Sequence, residues 1–123
     1  MNDNTLHARA MALVDILLSV PDEIGIYEVY ADVKFELGVT DDREIRHVAL
    51  EIVREMLRRG ARADFDCAAS VKTYQPEKTV DEVMARIERE WDALEEPPTI
   101  GDICIFEWTP EAMEADRGKT SVV

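Results

Sequence analysis

The strongest constraint lies mid-chain, where Ile45, Val48, Ala49, Ile52, Val53, Met56 and Leu57 recur at steps of three and four. That spacing lines up one face of an α-helix, because a 3.6-residue period brings such positions together. The boundaries are written beside the stripe. Thr40 is a suitable cap, and Asp41 and Asp42 fall in the first turn, where negative charge suits the helix dipole. Arg58 and Arg59 occupy the last turn and Gly60 follows, as a helix end requires. A helix with so wide an apolar stripe has to bury it, so the other elements must be arranged around it.

Upstream, Leu6, Ala10, Leu13, Val14, Leu17 and Leu18 predict a first helix from about Leu6 to Ser19. Asn4 or Thr5 can cap it, and Pro21 stops it. Pro21–Gly25 reads as a turn. Ile26, Tyr30, Val33 and Leu37 share one side of a second, shorter helix ending near Gly38. Val29, Tyr30, Val33 and Phe35 are also strand-prone, so residues 26–37 stay open between helix and strand.

Downstream, residues 61–74 change character. Ala61–Cys67 partly alternates and Val71–Tyr74 is short and strand-like, which predicts one or two strands, as in a hairpin. Gln75–Lys78 connects them to a capping box, Thr79–Glu82, that opens a fourth helix. Val80, Val83, Met84, Ile87, Trp91 and Leu94 form its apolar face, and Pro97-Pro98 ends it. Ile103–Trp108 is apolar on both faces and reads as the central strand of a small sheet. Beyond Pro110 the chain turns polar, so residues 111–123 read as a frayed tail. The class is α+β: three N-terminal helices, a strand or hairpin, a fourth helix and a final strand forming a small antiparallel sheet. This order is compatible with a winged-helix-like layout. A length of 123 residues suits a single domain, 1–123.

The sequence carries no catalytic or metal-binding motif. The serines are Ser19, Ser70 and Ser121, and none sits in a Gly-x-Ser-x-Gly turn. His7, at the polar start of the first helix, and His47, among arginines off the apolar stripe, read as solvated surface residues. Cys-x-x-Cys and His-x-x-x-His are absent, and the glycines are scattered singly, so neither a metal site nor a phosphate loop is written here. Asp64 and Asp66 flank Phe65 and share a strand face, but two carboxylates do not make a calcium loop. Cys67 and Cys104 sit in apolar surroundings and read as small core residues. The expectation is a non-enzyme without a cofactor. The N-terminus, Met1–Thr5, is polar and unlike a signal peptide, and no apolar run approaches bilayer length, so the expected compartment is the cytoplasm.

Charge says more. The formal net charge is −13, which repels nucleic-acid phosphates and anionic membranes and attracts basic proteins. Its distribution is uneven. Residues 1–40 carry seven acids and two bases, residues 75–123 thirteen acids and five bases, and residues 41–74 seven of each. The neutral segment holds Arg43, Arg46, His47, Arg54 and Arg58 on one arc of the third helix. In a winged helix that element would enter the DNA major groove. A DNA-binding domain is expected to be basic, however, and these arginines can instead pair with Glu44, Glu51 and Glu55 or with neighbouring acidic helices.

The fourth helix presents Asp81, Glu88, Asp92, Glu95 and Glu96 off its apolar stripe, with Asp102 and Glu107 further on. Such a face can mask a basic surface on another protein. The residues expected to touch the partner are Asp92, Glu95, Glu96, Asp102, Glu107 and Trp108. Trp91 falls on the stripe and is expected in the core, while Trp108 stays open between core and interface. A small oligomeric adaptor, paired through the leftover apolar face of the second helix, is the remaining alternative to a DNA-binding regulator.

One stretch carries a resemblance. Ile87–Leu94, with its Trp-x-x-Leu ending, then Pro97–Ile103, then Phe106 and Thr109, resembles the C-terminal part of small uncharacterised bacterial proteins. Some of those look like immunity partners of secreted or contact-delivered toxins. The shared pattern is a helix end, a proline turn and a Gly-Asp-Ile strand, with Ile105 where such relatives place an aromatic. It implies a small binding protein and transfers no catalytic residue.

Overall fold

The computed structural model describes residues 3–19, 23–65, 79–99 and 102–108. In chain order these form α1 (Asp3–Leu17), β1 (Glu23–Gly25), α2 (Ile26–Phe35), α3 (Asp42–Arg58), β2 (Arg62–Asp64), α4 (Val80–Asp92) and β3 (Ile105–Glu107). Pro21, Asp66, Cys67, Val71–Tyr74, Gln75–Lys78, Pro110 and the tail 111–123 lie outside the described residues.

α3 is the axis of the packing, and all seven residues of its stripe are buried. Its cap is Asp41 rather than Thr40. The Asp41 carboxylate accepts from the Glu44 amide at 3.0 Å, since an aspartate at that position reaches the third helical N–H. At the other end the Gly60 amide donates to the Leu57 carbonyl and the Ala61 amide to Met56, the paired bonds of a Schellman motif. Gly60 takes φ +111, a backbone region that favours glycine.

α1 and α2 both pack along α3, and α4 lies against it as well. α1 begins at Asp3, ahead of the expected caps. The apolar periodicity marks where burial begins, whereas the backbone hydrogen bonds extend further. α2 settles the open question at residues 26–37: it is a helix, with Ile26, Val29, Tyr30 and Val33 buried. Gly38, at φ +72, then reverses the chain so that Leu37 and Val39 both point inward. In α4 the Thr79 hydroxyl accepts from the Glu82 amide at 3.1 Å and donates to the Glu82 carboxylate at 3.0 Å. This is the expected capping box, with the hydroxyl meeting the carboxylate.

The sheet order is β1-β3-β2, antiparallel throughout, so the last strand is central as expected. Phe106 is fully buried and stands in register between Ile24 and Ala63. The turn expected over Pro21–Gly25 is corrected here, because Glu23–Gly25 is the edge strand β1. Three residues are too few to show alternation, and their strand conformation comes from pairing with β3. The Ile26 amide extends the ladder by donating to the Cys104 carbonyl at 3.3 Å. The order helix, strand, helix, helix, strand, helix and a late central strand is α+β, and α4 stands in the chain between β2 and β3.

Trp91, Cys104 and Trp108 all belong to the core. Among the described residues Asp64 is the buried charged side chain. No helix among them is long and apolar enough to cross a membrane.

Candidate functional site

α4 ends where its acids gather. Trp91 is its last large buried residue, tilted 53° against Tyr30 at a centroid distance of 6.3 Å. Asp92, Glu95 and Glu96 follow on the exposed side. Arg46 reaches across from α3, pairs with Asp92 at 2.7 Å and lies 5.4 Å over the Trp91 ring. At the opposite end of α4, Arg54 pairs with Asp81 at 2.5 Å. The two helices therefore run antiparallel, and α4 engages part of the α3 arginine strip. The Arg54 guanidinium holds the Asp81 carboxyl below its ordinary range. Of the two pairings expected for these arginines, the one with a neighbouring acidic helix accounts for Arg46 and Arg54.

Asp92, Glu95 and Glu96 share a depression of about 290 Å³ with Tyr30, Arg43 and Arg46. The Tyr30 hydroxyl donates to Asp42 at 2.8 Å. Burial first, and then Asp42, push the phenol up to about 12. An adjoining groove of about 460 Å³ shares Tyr30, Glu96 and Pro97, and is walled by Tyr27, Lys34, Phe35 and Pro98. The Tyr27 hydroxyl donates to Glu28 at 2.7 Å, a bond that raises the phenol above its ordinary value.

The expected contact residues are thus brought together only in part. Asp102 is used locally, accepting from the Thr99 amide at 2.7 Å and the Thr99 hydroxyl at 3.0 Å. Glu107 stands mid-sheet, in register with Glu23 and Arg62. Trp108 is 6% exposed and in the core, so it offers no surface to a partner. Neither Glu107 nor Trp108 lines either depression.

Sequence reasoning missed Phe35. Its side chain is 76% exposed, although it belongs to a helix with a well-buried face. Lys34 lies over its ring at 5.6 Å. Glu28, Asp32 and Glu36 follow one another at helical spacing beside it. Asp32 is held above the ordinary carboxylate value, first by burial and then by the charges of Glu36 and Glu28. A helical projection of residues 26–36 carries this signal, but only once helix has been chosen over strand.

Both histidines are exposed as expected, yet they meet. His7 Nδ1 and His47 Nε2 contact the two oxygens of Glu51 at 3.1 and 2.9 Å, joining α1 to α3. No group of metal-ligating side chains is assembled among the described residues. Comparison with protein-family models, curated proteins and solved structures finds no match for the chain.

Proposed function

We propose that this chain is a non-enzymatic acidic binding protein, an immunity-type inhibitor that covers a basic surface on a partner protein such as a toxin. The observation that carries the reading is the gathering of Asp92, Glu95 and Glu96 beside an aromatic depression, in a chain of net charge −13. Excess negative charge steers a basic partner inward, and apolar surface next to it holds the complex after encounter. Glu95 and Glu96 are exposed and can be reversed without opening the core. Co-purification with the product of an adjacent gene tests the pairing. Reversing Glu95 and Glu96 to lysine is expected to slow association on the order of tenfold at low salt. A harmless neighbour, or association indifferent to the reversal, counts against the reading.

The sheet order β1-β3-β2 and the arginines of α3 are compatible with a winged-helix-like layout and so with a second reading, a DNA-binding regulator that uses α3. Against it stand the acidic balance and the engagement of Arg46 and Arg54 by α4. A salt-dependent shift of duplex DNA supports this reading, and no binding at low salt ends it.

A further inference from the structure

We infer that the Phe35 face of α2 is the docking surface for a partner segment that carries a large apolar side chain between lysines or arginines. The inference rests on the acidic-binder reading and names the chemistry of its partner.

Three features meet on this face. Phe35 projects from α2 at 76% exposure, beside the groove formed with Tyr27, Pro97 and Pro98. An exposed phenylalanine gains nothing from water, so its burial against a partner is favourable. Acids stand on both sides of it: Glu28, Asp32 and Glu36 along one flank of α2, and Glu96, with Glu95 adjacent, across the groove. Like charges at successive helical turns repel. Cations from a partner relieve that repulsion. Finally, the Phe35 ring already takes the Lys34 ammonium at 5.6 Å, so its face accepts a cation.

Charge also selects among occupants. A second copy docked by a two-fold axis would set this patch against itself. The acids flanking one Phe35 would then face those flanking the other, in a pair of chains each at −13. A basic segment meets no such repulsion.

The test uses the full ¹⁵N-labelled chain with a probe peptide, Lys-Arg-Leu-Trp-Arg-Lys, and a control with Gly-Ser in place of Leu-Trp. The probe is expected to shift the amides of α2 and of Glu95, Glu96 and Thr99, and to bind roughly tenfold tighter than the control. Phe35→Ser is expected to remove that tenfold while keeping the wild-type melting curve, since the side chain is exposed. Shifts confined to another surface, or undiminished binding by F35S, overturn the docking surface and leave the acidic-binder reading standing. Failure of both peptides to bind even at low salt overturns both. A dimer in sedimentation that F35S dissolves assigns the face to a second copy, and also overturns the proposal.

Discussion

Tyr30 joins three elements through one side chain. Its ring packs against Trp91 of α4 and its hydroxyl bonds Asp42 at the start of α3. The phenol is pushed from an ordinary 10 to about 12. The folded state therefore keeps a proton that the unfolded chain gives up. Stability from this group is complete below pH 10 and is lost as pH rises through about 12. In alkaline denaturation followed by circular dichroism, Tyr30→Phe is expected to begin about 1 kcal/mol less stable at neutral pH, having lost one hydrogen bond. It should then decline less steeply than wild type between pH 10 and 12. A parallel decline shows that other groups govern the alkaline limb. Gly38 offers a test of backbone alone. No atom stands near a Cβ built there, but φ is +72. Gly38→Ala is expected to cost about 1 kcal/mol in urea unfolding, wholly from the left-handed conformation.

At the scale of elements, what the sequence reveals follows from how far each element depends on its neighbours. α3 and α4 carry caps, first-turn acids and long apolar stripes, so their forces are local and legible. Thr79→Ala tests this for α4. It is expected to cost about 1 kcal/mol, as cap removal generally does, with the loss read from urea unfolding. β1 is the opposite case. Glu23-Ile24-Gly25 has no local preference for a strand, and its conformation exists because Ile24 meets Phe106. A residue pairing more than eighty positions away leaves no periodic trace. The candidate site divides the same way. Asp92, Glu95 and Glu96 were legible because a helix end followed by prolines exposes what comes next. Trp108 was not, since its burial depends on the packing around the sheet. Phe35 was hidden by the open choice between helix and strand over residues 26–37, because only a helix places it off the buried side of that segment.

For the whole molecule, the question is whether its ion pairs or its excess charge governs stability. The arginines of α3 and α4, with Arg59 just past α3, are well placed, pairing with Asp81, Asp92, Glu90 and Glu55. Each such pair is partly or largely solvated, and exposed pairs contribute ~0–1 kcal/mol. The chain has 27 acids and 14 bases, so even complete pairing leaves 13 carboxylates in mutual repulsion. Salt weakens both effects, and the larger one decides the sign. Between about 10 mM and about 150 mM salt the Debye length falls from ~30 Å to ~8 Å, from spanning the domain to spanning a single contact. Repulsion summed across the domain is therefore screened heavily, while pairs at about 3 Å lose much less. Sodium chloride is expected to raise the melting temperature over this range, by roughly 4–8 °C for each ~1 kcal/mol of repulsion relieved. Scanning calorimetry at both salt levels checks it. A melting temperature that falls with salt would mean that the ion pairs holding α4 against α3 outweigh the repulsion, and that the acidic surface is less crowded than its composition implies. Glu95→Lys and Glu96→Lys separate the two terms further. By removing repulsion at source, they should raise the low-salt melting temperature and flatten its salt dependence, while slowing the capture of a basic partner.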